Sequence, residues 1–165
     1  MKLVPDFQFE RIDRIDPGFF ARQNIRLIAL DVDNTLTTHD NPEPDARVLE
    51  WLAKMKQAGI KLAVLSNNKE ERVAPFAARL GLGHQSRAGK PLTGGLKRLA
   101  QRYRLPPEQI ALIGDQIFTD IWCANRFGAV SILVEPMYLE DMPFFKLKRR
   151  LERLVLGRPR GGEHP

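Results

Sequence analysis

Four short polar clusters stand out in the 165-residue chain, and each sits where chemistry could be done. Asp31-Val32-Asp33-Asn34-Thr35 follows the apolar run IRLIAL. Two carboxylates at i and i+2 beyond a strand end can face one crevice, and like charges held that close need a cation or a shared proton. Mg²⁺, a hard cation with oxygen ligands, is the common answer where phosphates are handled. Ser66-Asn67-Asn68 follows IKLAVL and offers a hydroxyl, amides and backbone N–H groups to an anion. Gly89-Lys90-Pro91 carries an ammonium just ahead of a helix. Gly114-Asp115 adds a further carboxylate, and Asp120 follows in the first helical turn, where it can orient the metal's ligands or bind the metal indirectly.

Taken singly, each cluster has an ordinary explanation. Ser, Asn and Asp cap helices and make turns, most lysines are solvated, and acids favour helix N-termini. Taken together, in order after successive strands, they bring three carboxylates, a hydroxyl and an ammonium to one crevice. That set suits metal-assisted phosphoryl transfer through an aspartyl phosphate.

The elements that must position these groups are visible in the hydrophobic pattern. Residues 25–30, 60–65, 110–113 and 130–134 are near-continuous apolar runs, as expected of strands covered on both faces, and 84–87 is a candidate short strand. Between them the spacing predicts helices over 44–58, 69–80, 91–103 and 116–127. Pro44 suits a first helical turn, and Gly59, Gly81 and Gly128 suit helix stops. The second helix is expected despite Pro75, and Gly94 and Gly95 weaken the third. Strands alternating with helices imply βαβ units and a mainly parallel sheet, whose ligands bind beyond the carboxyl ends of the strands.

Composition narrows the class. Hydrophobic content of 43% and charged content of 28% fit a globular domain and exclude disordered, collagenous and disulfide-scaffold chains. A single cysteine, Cys123, cannot form an internal bridge, which points to a reducing, cytoplasmic setting. No apolar run approaches the ~18 residues that span a bilayer, and the first residues lack the apolar stretch of a secretory signal. The net charge of +6 is uneven: residues 146–165 carry +5 and residues 1–145 only +1.

The four clusters resemble the motifs of the haloacid-dehalogenase-like (HAD) phosphatases, with Asp31/Asp33/Thr35, Ser66, Lys90 and Gly114-Asp115…Asp120 in order over about residues 25–135. LDVDNTLT, VLSNNKEERV, GKP, IGDQIFTDIWCANRFG and FFKLKRRLERLVL are similar, over nearly the whole chain, to the YqeG-type branch of subfamily IIIA. That branch includes mitochondrial relatives that dephosphorylate phosphatidylglycerophosphate. Asn34 replaces the glycine frequent elsewhere in the superfamily but agrees with this branch. The resemblance implies an α/β, Rossmann-like three-layer sandwich with a mainly parallel sheet. It also implies a Mg²⁺-dependent phosphatase with Asp31 as nucleophile and Asp33 as general acid, then base. Thr35 would hold the loop. Ser66, with Asn67, would bind the phosphoryl group, and Lys90 would neutralise its charge. Asp31, Asp115 and the Asp33 backbone carbonyl would hold the metal, with Asp120 behind them.

Neither the interval from Thr35 to residue 44 nor that from Ser66 to Lys90 has room for a folded cap. The expectation is one capless domain over 1–165, with a core at 25–135, an N-terminal segment at 1–24, a basic amphipathic helix at 143–157 and a frayed end at 158–165. An open site fits a large or surface-embedded substrate. Phe144, Leu147, Leu151 and Leu154 share one helical face, and Lys146, Arg149, Arg150 and Arg153 lie on others. Such a helix can dock on the core or lie on an anionic membrane surface, as a peripheral protein at its inner face. The N-terminal segment, with Phe7, Phe9, Ile12, Ile15, Phe19 and Phe20, has the same two options. A phosphoprotein, nucleotide or nucleic-acid end is the alternative substrate. A non-catalytic nucleic-acid or ribosome-binding module is the alternative class, against which the intact acids, Ser66 and Lys90 argue. Oligomeric state is open.

Overall fold

The structure, a computed structural model, describes residues 1–38, 41–137, 150 and 154. Its framework is a six-stranded sheet in which every pairing is parallel. The strands are β1 (Phe7–Phe9), β2 (Leu27–Leu30), β3 (Lys61–Leu65), β4 (Gly83–Gln85), β5 (Ile110–Gly114) and β6 (Val130–Val134), in the spatial order β1-β6-β5-β2-β3-β4. The helices are α1 (Pro17–Arg22), α2 (Ala46–Gln57), α3 (Glu70–Arg79), α4 (Gly94–Tyr103) and α5 (Trp122–Phe127).

The strands alternate side chains between two cores. Ile28, Leu30, Leu62, Val64, Ile113 and Ile132 face α1, α2 and α3 residues such as Phe20, Trp51, Met55 and Phe76. Leu27, Ala29, Leu65, Ile110 and Leu112 face Leu96 and Leu99 of α4 and Cys123 of α5. Helices therefore cover both faces, giving the expected α/β three-layer sandwich. Cys123 is buried, as packing predicts.

Helix boundaries moved for local reasons. Asp45 caps α2 by accepting from the Val48 N–H, so Pro44 lies before the cap rather than in the first turn. Pro75 is accommodated inside α3. Gly94 and Gly95 open α4 instead of weakening its middle. Gly95 is needed there because a Cβ would come within 2.7 Å of the Ala88 backbone. The expected helix at 116–127 begins as a π turn, Ile117–Ile121, before α5. Such turns are rare and recur at functional sites.

The N-terminal segment packs on the core. Ile12, Ile15, Phe19 and Phe20 are buried, and the Trp51 indole N–H donates to the Ile15 carbonyl at 2.7 Å. β1 extends the sheet beside β6, and the Asp6 carboxylate accepts from the Ser131 N–H and hydroxyl. Among the described residues, no domain interrupts the 31–45 interval, and only α3 and β4 separate Ser66 from Lys90. The predicted helix at 143–157 and the end at 158–165 lie outside the described residues, save Arg150 and Leu154. Both of these are helical and exposed. Among the described residues, no helix is long and apolar enough to cross a membrane.

Candidate active site

β2 is central, and the chain moves to one side of it through β3 and β4 before returning on the other through β5 and β6. Such a reversal leaves a crevice beyond the strand ends. Leu30 is level with Val64 on one side and Ile113 on the other, so the residues that follow these strands meet at that crevice. The Asp31 N–H, still bonded to the Ile113 carbonyl at 3.0 Å, fixes the first carboxylate there.

After Asp31 the backbone folds back on itself. The N–H groups of Thr35, Leu36 and Thr37 all point to the Val32 carbonyl. Asn34 holds φ at 60°, a left-handed conformation that glycine or asparagine adopts with least strain. That is the physical reason asparagine can stand where glycine is frequent. Thr35 is buried, and among the described residues its Oγ1 meets no hydrogen-bond partner.

The Ser66 loop and the Lys90 loop are laced together. The Ser66 N–H donates to the Gln85 carbonyl, the Ala88 N–H to the Ser66 carbonyl, and the Arg87 N–H to the Asn68 carbonyl. The Asn67 side chain takes the Lys90 N–H at 2.8 Å and donates to the Lys90 carbonyl at 3.0 Å. Its amide thus ties down the Lys90 backbone. Ser66 is buried, and its Oγ accepts from the Asn68 N–H at 3.1 Å.

Lys90 is buried and threads into the crevice, where Nζ donates to Asp31 Oδ1 at 2.8 Å, Asp120 Oδ1 at 2.6 Å and the Leu65 carbonyl at 3.0 Å. Asp120 accepts a further bond from the Gln116 N–H at its other oxygen. It thus holds the Lys90 ammonium, a contact that the sequence reading did not include. Gly114 makes room for it: a Cβ there would overlap the Asp120 carboxylate.

Asp31, Asp115 and Asp120 are all buried, and each offers an oxygen within 4.8 Å of the others. Two of these carboxylates bond the Lys90 ammonium, and the third lies beside them. Burial, followed by the charge of Asp120, holds the Asp31 carboxyl above its ordinary range, with Lys90 opposing. Burial works against the Lys90 charge as well, but Asp120 and Asp31 outweigh it and raise its pKa. The excess of buried negative charge and the all-oxygen donor set fit a hard divalent cation. The Asp33 carboxylate is not in that group. It turns outward, accepting from Asn68 Nδ2 at 3.0 Å and Arg72 Nη2 at 2.7 Å. The metal expectation for Asp33 concerned its backbone carbonyl.

Sequence reasoning missed Arg72 as the partner of Asp33. A basic residue in the run KEER looks like part of a solvated helix face, and only the fold brings it to Asp33. It also missed the tie at the start of α3, where Glu70 accepts from the Ser86 hydroxyl and pairs with His84 Nε2 at 2.7 Å.

A parallel α/β sheet with a buried lysine and clustered carboxylates beyond its strand ends has the build of a hydrolase site. The haloacid dehalogenase-like hydrolase profile matches residues 38–128, which include Ser66, Lys90, Asp115 and Asp120. A Bacillus subtilis protein named as a probable phosphatase, YqeG, is 36% identical over 153 residues, covering 93% of this chain and 89% of that one. The chain belongs to the haloacid dehalogenase-like hydrolase family, and within it to the phosphatases. A chloroplastic phosphatidylglycerophosphate phosphatase of Chlamydomonas reinhardtii is 30% identical over 173 aligned residues, covering 98% of this chain but only 64% of that longer protein. Among solved structures, 3-deoxy-D-manno-octulosonate 8-phosphate phosphatase from Yersinia pestis superposes with a TM-score of 0.55 at 17% identity, over 83% of this chain and 85% of that one. That likeness concerns the fold alone.

Proposed function

We propose that this phosphatase is Mg²⁺-dependent and removes the terminal phosphate of phosphatidylglycerophosphate or a closely related anionic lipid, through an aspartyl phosphate. The observation that carries the chemistry is the buried meeting of Asp31, Lys90, Asp115 and Asp120 at the end of the central strand. When bound by Asp31, Asp115 and the Asp33 carbonyl, the cation would offset negative charge on the phosphoryl group. Asp31 attacks phosphorus, so a bond from its carboxylate oxygen forms as the bond to the leaving oxygen breaks. Asp33 gives its proton to that oxygen, then takes one from the water that cleaves the aspartyl phosphate. Ser66 donates its hydroxyl hydrogen to a phosphoryl oxygen. Lys90, fixed by Asp120 and Asn67, supplies positive charge where the transferring group sits.

The lipid part of the proposal is supported by the activity named for the algal relative and by a crevice with no inserted domain among the described residues. A small soluble ester gains from a lid that excludes water, whereas a lipid headgroup must be reached on a surface. The test is phosphate release from phosphatidylglycerophosphate in anionic vesicles, beside a soluble ester, a phosphopeptide and nucleotides. Hydrolysis should favour the vesicles, stop with EDTA and return with Mg²⁺. Preference for a soluble substrate would remove the lipid assignment. Full activity in EDTA would remove the metal. RNA binding without turnover would favour the non-catalytic alternative.

Membrane attachment falls to the basic segment at 143–157. Each Lys or Arg near an anionic surface contributes ~1 kcal/mol. Replacing Arg149, Arg150 and Arg153 together by Gln should therefore weaken vesicle binding by about two orders of magnitude, on that figure. Flotation with anionic and neutral vesicles measures this, and soluble-ester hydrolysis should be retained. Unchanged flotation would place attachment elsewhere.

A further inference from the structure

A cavity of about 240 Å³ opens beside the nucleophile loop. Ser66 and Asn68 line its end nearest the site, and Val32, Val73 and Phe76 give it apolar walls. Arg72 and Arg79 of α3 enter the same cavity. Seven residues is close to two helical turns, so the two side chains leave one face of α3, with about 10 Å between their Cα atoms along the axis. Arg72 and Arg79 are the charged residues among the described lining, and Arg72 is paired with the Asp33 carboxylate beside it.

The position matters more than the charge. Arg72, which lines the cavity, donates from Nη2 to Asp33 Oδ1 at 2.7 Å, so the cavity adjoins the side chain that would protonate the leaving oxygen. The phosphoryl group stays with Asp31, and whatever departs must depart past Asp33. Arg79 reaches the opposite wall, where Nη2 donates to the Pro42 carbonyl at 3.2 Å. The tie of Glu70 to Ser86 and His84 fixes the first turn of α3, and with it Arg72.

We propose that this cavity takes the leaving group, and that Arg72 and Arg79 select one carrying a second phosphate-type anion a short polyol away from the scissile phosphate. The proposal rests on the phosphatase reading above and deepens it. The apolar walls take the carbon skeleton, and the guanidinium groups take the anion in charge-assisted hydrogen bonds. The phosphodiester of a lipid headgroup and the far phosphate of a soluble bisphosphate share this chemistry.

The test compares kcat/KM for glycerol 1,3-bisphosphate and glycerol 3-phosphate, with phosphatidylglycerophosphate in vesicles as a third arm. The parent protein should prefer the bisphosphate over the monophosphate. Arg79→Gln should lower that ratio about tenfold, mainly through KM, and Arg79→Lys should restore part of it. Equal losses on both substrates, with the ratio kept, would overturn the proposal. Much faster turnover of the vesicle substrate than of the soluble bisphosphate assigns the anion to a lipid, and the reverse assigns it to a soluble ester. A second measurement is independent of hydrolysis. Glycerophosphoglycerol has the phosphodiester but no scissile phosphate, and its binding to Asp31→Asn can be followed calorimetrically. Binding that is lost in Asp31→Asn/Arg79→Gln supports the subsite even if none of the three substrates is turned over. Absent binding, or equal binding by both proteins, rejects it.

Discussion

Asp31→Asn should reduce turnover on any phosphomonoester by a factor on the order of 10⁴ or more, the scale seen when a covalent nucleophile is removed. The amide keeps the size and Oδ1 can still accept from Lys90 Nζ, but it lacks the carboxylate that attacks phosphorus. The same change should not harm the fold. Three buried carboxylates lie together with one ammonium bonded to two of them, and the Asp31 carboxyl is already held above its ordinary range by burial and by Asp120. A neutral amide relieves that crowding, so the metal-free variant should melt at the parent's temperature or above it. Mg²⁺ should then raise its melting temperature less than the parent's, because one oxygen anion is gone. Steady-state phosphate release and thermal melts with and without Mg²⁺ report all three effects. Near-parental Mg²⁺-dependent hydrolysis would sink the assignment of Asp31. A melting temperature well below the parent's would show that the charge was needed structurally.

The clusters that build this site were legible because each is a short polar stretch after a strand buried on both faces. Ile28 to Leu30, Leu62 to Leu65 and Ile110 to Ile113 are almost wholly apolar, so their ends are sharp in the sequence. A parallel sheet then dictates that groups beyond those ends share one crevice. What the sequence hid depends on packing between distant segments. β1 has only three residues and becomes a strand because β6 offers an edge. Gly95 looked like a helix defect, yet the nearby Ala88 backbone leaves no space for a Cβ. The π turn at Ile117–Ile121 changes which carbonyls are bonded and leaves no mark on hydrophobic periodicity.

Within the site the divide is similar. The residue types that would touch phosphate were readable from chemistry, whereas the residues that hold them were not. Asn67 was expected beside the phosphoryl group for its amide, and the tie of that side chain to the backbone of Lys90 had no sign in the sequence. The contact of Arg72 with the Asp33 carboxylate left no sign in the sequence. Side chains that act through a neighbour carry no local signature, since their partner is chosen by topology.

The second large effect concerns Lys90. Lys90→Met keeps an unbranched side chain of similar reach and removes the only ammonium donating to Asp31 and Asp120 among the described residues. Breaking a buried ion pair from one side costs about 3–5 kcal/mol, because the abandoned charges stay buried. The variant should lose that much stability in metal-free urea denaturation at neutral pH, and its turnover should fall to background. The pH dependence gives the sharper signature. A carboxyl with a raised folded pKa binds a proton in the folded state that the unfolded chain releases. Stability therefore falls as pH rises from the ordinary carboxylate range through the folded pKa, which for Asp31 in the parent is about 8. Lys90 opposes that rise, so without it the decline should extend to higher pH and become deeper. Mg²⁺ should flatten the decline in both proteins by supplying the missing positive charge. Adding Asp120→Asn to Lys90→Met should recover part of the loss by removing one of the crowded acids. A Lys90→Met protein as stable as its parent from pH 5 to 9, with or without Mg²⁺, would mean that the ammonium is not the counter-charge of these carboxylates, and the charge balance argued for the site would fail with it.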